Sequence, residues 1–100
     1  MLSQLEQIER RHAELTRRLA EAGADPERWR ELGREHARLS RIVAKGAEYR
    51  QTLADLEAVR EMMAAAPAAA QLAWLEEELA ALQERRERLE LELKRLLIRQ

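Results

Sequence analysis

QLAWLEEELAALQERRERLELELKRLLI (residues 71–98) is the stretch whose reading decides the fold. Leu72, Leu75, Leu79, Leu82, Arg86, Leu89, Leu93 and Leu96 alternate in steps of three and four. That spacing puts one residue per turn on a single helical face, the seam of a coiled coil. Arg86 alone breaks it. As a polar residue on a seam, Arg86 either specifies a partner or register, or snorkels its charge to water along its apolar stem.

Working back towards the N-terminus, Pro67 is the strongest punctuation. Proline is tolerated in the first turn of a helix and not in its interior. A helix over about 67–98 is therefore expected, preceded by Ala66, a poor cap. Upstream, DPER (25–28) is a second helix start. Asp25 is a good N-cap, Pro26 suits the first helical position, and Glu27 complements the helix dipole. Between the two prolines one helix over 26–64 is expected, about 58 Å long at 1.5 Å per residue. Its apolar stripe reads Trp29, Leu32, His36, Leu39, Ile42 or Val43, Gly46, Tyr49, Leu53, Leu56, Val59 and Met63. The step through Ile42 to Gly46 shifts the register, so a bend is expected near Gly46.

The first helix is expected over 3–22. Ser3 and Glu6 have the spacing of a capping box. Leu5, Ile8, His12, Leu15, Leu19 and Ala22 form its face, and Gly23 is suited to the left-handed turn that closes it. The spacing thus predicts an all-α protein. It is a three-helix antiparallel bundle built on a long coiled-coil-like hairpin, and the whole chain, 1–100, is read as one helical domain. A hairpin longer than its third layer leaves apolar surface uncovered, so self-association is expected.

Composition agrees with this. The chain is 46% hydrophobic and 37% charged, without Phe or Cys. Lacking Cys, it has no disulfide, thiolate zinc site or thiol nucleophile. MLSQLEQIERR (1–11) has no apolar core of a signal peptide. The apolar run 62–70, interrupted by Pro67, is far short of the roughly 18 residues a membrane span needs. The chain is read as soluble and cytoplasmic. Net charge is −1, which argues against general affinity for nucleic acid. The charge is unevenly spread: +2 over residues 1–45, −6 over 46–84 and +3 over 85–100. Such polarity orients an encounter with a charged partner, or simply marks solvated helix faces.

No residue set points to catalysis, and no catalytic, cofactor-binding or metal-binding residues are assigned. Ser3 reads as a cap and Ser40 lies within a helix. Gly23, Gly33 and Gly46 are isolated, so no phosphate-binding loop forms. Glu76, Glu77 and Glu78 are consecutive and point to different sides of a helix. His12 and His36 occupy core-type positions on neighbouring helices and are placed to approach one another. Glu9 and His12 make one E-x-x-H, but Gly33 stands where a second motif would need a glutamate, so a di-iron carboxylate site is incomplete. Trp29 and Trp74 are read as core anchors, with an interface hot spot as the other reading.

Four segments carry a resemblance: IERRHAEL (8–15), ERWRELGREHARLSRIV (27–43), EYRQTLADLEAVREMM (48–63) and AAPAAAQLAWLEEELAALQERRERLELELKRLLI (65–98). In order, spacing and apolar positions they resemble the N-terminal helical domain of bacterial class-I peptide chain release factors, of the release factor 1 type. The resemblance implies a domain that docks at the base of the ribosomal stalk and helps communicate with a partner GTPase. Other domains of the family read the stop codon and hydrolyse peptidyl-tRNA. This chain has no adjacent glycines, so the family's catalytic Gly-Gly-Gln is absent. The stop-codon-reading Pro-x-Thr or Ser-Pro-Phe type element is absent too, since Pro26 and Pro67 precede Glu and Ala. Arg99 and Gln100 stand where the family carries proline and lysine after its third helix. KRLLIRQ (94–100) therefore reads as a chain that ends or diverges at a domain boundary. The loop between the first two helices is about two residues short, and Ala66 replaces a capping aspartate. The expected role is ribosome docking in translation termination, non-enzymatic, without cofactor, small-molecule substrate or membrane. The alternatives are a stand-alone helical protein that dimerises through its leucine seam, and a truncated paralogue that occupies the stalk base.

Overall fold

The computed structural model describes residues 1–23 and 25–99. The loop-length expectation takes in Ala24, and the comparison at the C-terminus takes in Gln100; both residues lie outside the described ones. Three helices and no strand occur among the described residues: α1 (Leu2–Glu21), α2 (Pro26–Ala64) and α3 (Ala69–Ile98). The all-α class expected from the spacing is the one observed.

The chain divides into two compact units. One holds Met1–Gly46 and the segment from Leu93 onward; the other holds Ala47–Glu92. In the first, α1 lies antiparallel to the first half of α2, with contacts from residues 11, 12 and 16 to residues 35, 36 and 40. Its core is Leu5, Leu15, Leu32, Leu39, Ile42 and Leu93. The whole expected face of α1, from Leu5 to Ala22, is buried or half-buried. At Gly46 the two helices approach tightly: a Cβ there would lie 2.6 Å from Leu5 Cδ1. In the second unit the later half of α2 runs antiparallel to α3, with Tyr49 against Glu90 and Thr52 against Arg85. Tyr49, Leu56, Val59, Leu75 and Leu89 form its core. Every residue of the expected α3 seam is at least half-buried, Arg86 included. Burying each such leucine contributes about 1.5–3 kcal/mol.

Several local expectations are corrected. Helix α1 begins at Leu2, with Met1 as its cap and no side-chain capping bond. Ser3 and Glu6 are therefore inside the helix and form no capping box; Leu5 N–H bonds Met1 C=O at 3.0 Å instead. The physical reason is packing: Met1 and Gln4 line one cleft with Lys94, Leu97 and Ile98 of α3, which favours a start one residue ahead of the expected one. Helix α3 begins at Ala69, so Pro67 precedes it. Ala66 has φ +53, the left-handed conformation that closes α2, and its N–H bonds Met63 C=O at 3.3 Å. It is thus the end of α2 and not the cap of α3. Trp29 and Trp74, read as core anchors, are 54% and 56% exposed. The stripe of α2 also steps from Tyr49 to Thr52, which is 1% exposed, while Leu53 is half-buried. At 3.6 residues per turn, a long straight stripe drifts, and here one three-residue step replaces four.

Two punctuation readings hold. Asp25 Oδ1 accepts hydrogen bonds from the N–H groups of Glu27 and Arg28, both at 3.2 Å, satisfying amides that the first turn leaves unpaired. Gly23 has φ +58, where a side chain would be strained.

Candidate interaction surfaces and the His12–His36 contact

The first unit brings together a polar cluster between α1 and α2. The rings of His12 and His36 stack with centroids 4.2 Å apart and planes at 22°. Each ring reaches a hydroxyl on the opposite helix: His12 Nε2 lies 2.9 Å from Ser40 Oγ, and His36 Nε2 lies 2.8 Å from Thr16 Oγ1. The hydroxyl protons are already committed. Ser40 donates to His36 C=O at 2.8 Å and Thr16 donates to His12 C=O at 3.0 Å, the back-bonding usual for Ser and Thr within helices. A hydroxyl has one proton. Both oxygens therefore accept, and both imidazoles donate through Nε2–H, which leaves Nδ1 of each ring unprotonated. Burial, followed by the charge of His36, pushes the pKa of His12 below the ordinary imidazole range. The sequence placed these rings near each other; it gave no sign of the two hydroxyls that fix their tautomers.

Beside them, Arg11 holds Glu35 with two hydrogen bonds of 2.8 Å, from Nε to Oε2 and from Nη2 to Oε1. This bidentate bond keeps the Glu35 carboxyl below the usual range. Further along α1, Glu14 accepts from Arg17 at 2.6 Å and Arg18 at 2.9 Å, and Arg17 also reaches Glu21. Also in this unit, Arg38, Arg41 and Arg99 rim a cleft over Ile42 and Leu96. Trp29 lies with Gly23, Pro26 and Arg30 around another.

The second unit has a smaller polar set. Thr52 donates to Glu48 C=O at 2.9 Å and accepts from Arg85 Nε at 3.2 Å. Tyr49 donates to Glu90 Oε2 at 3.1 Å, and Arg86 Nε lies 3.9 Å from Glu90 Oε1. Burial, then the bond to Glu90, pushes the Tyr49 phenol up. Arg86 thus sends its charge to the seam's edge, with its side chain about one-third exposed. Glu76, Glu77 and Glu78 are all exposed, as are Trp74 and Met62. Among the described residues no group of three or more His, Asp or Glu is placed to hold a metal ion. No helix among them is long and apolar enough to cross a membrane.

Comparison with known proteins agrees with the resemblance read from the four segments. The chain is 39% identical to Peptide chain release factor 1 of Acidobacterium capsulatum over 100 residues, covering 98% of this chain and 28% of that protein. With Peptide chain release factor 1 of Pelobacter propionicus it shares 39% over 101 residues, covering 98% and 27%. With that of Clavibacter michiganensis subsp. michiganensis it shares 41% over 92 residues, covering 89% and 26%. The chain spans little more than a quarter of the length of these relatives. No solved structure matches it. The PCRF domain model matches residues 8–100, and the chain belongs to that family.

Proposed function

We propose that this chain is the ribosome-docking and positioning domain of a peptide chain release factor, acting in translation termination in the cytoplasm. The observation that carries this reading is collinear identity of 39% to release factor 1 proteins over 98% of the chain. On this reading the chain neither reads stop codons nor hydrolyses peptidyl-tRNA, and it needs no cofactor, small-molecule substrate or membrane. It approaches the base of the ribosomal stalk and helps communicate with a partner GTPase. The basic rim of Arg38, Arg41 and Arg99 supports contact with a polyanionic particle, because guanidinium groups pair well with phosphate. The acidic character of residues 46–84 supports an oriented approach, since a chain with segregated charge aligns in the field of its partner.

Sedimentation of the purified chain with 70S ribosomes tests this. Co-pelleting that full-length release factor 1 competes away is the expected result. A chain left in the supernatant, at concentrations where the full-length factor pellets, would sink the proposal. An immunoblot of the source cell adds the length of the native protein: a band several-fold above 11.7 kDa is expected of a release factor that contains this domain.

A second reading, self-association, is favoured by the exposed Trp29, Met62, Trp74 and Leu91. Light scattering with Arg86→Leu separates the two. A seam adapted to pair with a second copy gains mass in the variant, whereas one satisfied within the chain gains stability at unchanged mass.

A further inference from the structure

We propose that the stacked His12 and His36 rings form a pH-sensitive clasp between α1 and α2, closed while both are neutral and opened by protonation at Nδ1. The geometry sets the rule. Each ring's Nε2–H is already donated across the helix pair, to Ser40 from His12 and to Thr16 from His36. A proton arriving on either ring goes to Nδ1, the only ring nitrogen left to take it, and makes that ring a cation. With centroids 4.2 Å apart, two cations would face each other in a partly buried contact. Like charges at that distance disfavour the doubly protonated state. A second proton on the pair therefore comes at the expense of the stack.

The surrounding charges do not rescue that cation. On α1, Glu9 and Arg11 flank His12, with Glu14 further on; on α2, Glu35 and Arg38 flank His36; Lys94 and Arg95 of α3 and Arg99 just beyond it belong to the same unit. Arg11 and Glu35 neutralise each other in their bidentate pair, and Glu14 is held by Arg17 and Arg18. Lys94, Arg95 and Arg99 are cations. The effects that move His12 are burial and the charge of His36, and both favour the neutral ring.

The test is an NMR titration of the ring carbons of the whole chain from pH 8 to pH 4.5, with amide hydrogen-exchange protection factors for residues 8–16 measured alongside. In the wild type, His12 is expected to titrate below an exposed imidazole, and α1 protection to fall on the order of tenfold through that same transition. In His36→Gln the His12 midpoint moves upward and the acid-dependent loss of α1 protection disappears. Ser40→Ala keeps both rings and removes the acceptor of His12, so it serves if His36→Gln does not fold. Its protection is expected to be lower already at pH 8, with a smaller step on acidification. Protection that is level across the His12 transition in the wild type overturns the proposal. So does a pH dependence that His36→Gln, or in its place Ser40→Ala, leaves unchanged.

Discussion

The two units use one helix, α2, in different ways. In the first, α1 is tied to α2 through paired polar groups: Arg11 with Glu35, His12 with Ser40, His36 with Thr16. In the second, α3 meets α2 mainly through a leucine row, with fewer polar bonds across it: Tyr49 to Glu90 and Arg85 to the buried Thr52. Directional bonds specify which residue faces which, while leucine seams gain stability from area and say less about register. The first unit is thus the more sensitive to conditions that change charge, and the second to conditions that change packing.

The largest test of that contrast removes one fully buried leucine from each. Leu15→Ala and Leu75→Ala are each expected to cost about 2–5 kcal/mol in urea unfolding followed by circular dichroism. Hydrogen exchange should place the loss of protection mainly in the unit that holds the substituted leucine. Equal losses in both units for either variant would break the comparison.

Two glycines of α2 come next. Gly46→Ala pushes a methyl against Leu5, which is fully buried and has little room to move, so a net loss of about 1–2 kcal/mol is expected. Gly33 has nothing within 4 Å of an added Cβ, and Gly33→Ala should gain up to about 1 kcal/mol from helix propensity. Opposite signs in thermal unfolding confirm that α1 approaches α2 at Gly46 closely enough to require glycine. In the second unit, Ala66→Gly relieves a left-handed alanine and should stabilise by about 1 kcal/mol.

The smallest effects are those of pH, and they fall on opposite sides of neutrality. His12 has a lowered folded pKa, so its contribution is full above the ordinary imidazole value of 6.5 and is lost as pH falls through the folded pKa. Glu35, lowered by its bond from Arg11, behaves in the same sense below 4.5. Tyr49 has a raised folded pKa, so its contribution is full below 10.0 and is lost as pH rises through the folded pKa. Unfolding curves taken from pH 4 to pH 11 should therefore show an acid loss that His12→Phe reduces, leaving the share of Glu35, and an alkaline loss that Tyr49→Phe reduces.

Much of this was legible in the sequence, because burial repeats with the helix. The seam from Leu72 to Leu96 and the face from Leu5 to Ala22 are where the spacing puts them. The DPER start is also legible, since Asp25 caps through its own neighbours. What escaped depends on partners distant in sequence. Ser3 has the right spacing for a cap, yet the helix already begins at Leu2, where Met1 meets α3 residues far along the chain. Thr52 is buried because the stripe drifts over 39 residues, which a residue-by-residue preference for leucine at 53 does not see. Trp29 and Trp74 mislead because size suggests burial, whereas Trp74 lies one residue off the seam and Trp29 lies in the first turn of α2. The hydroxyls that fix the histidine tautomers become visible only when α1 and α2 are placed side by side.

The exposure of both tryptophans gives the molecule two native fluorophores, one in each unit, already in contact with water. Their emission should shift to the blue when another surface covers the indole. Trp29→Phe and Trp74→Phe each leave a single emitter. The pair of variants then tells, without any added dye, which of the two units a partner covers.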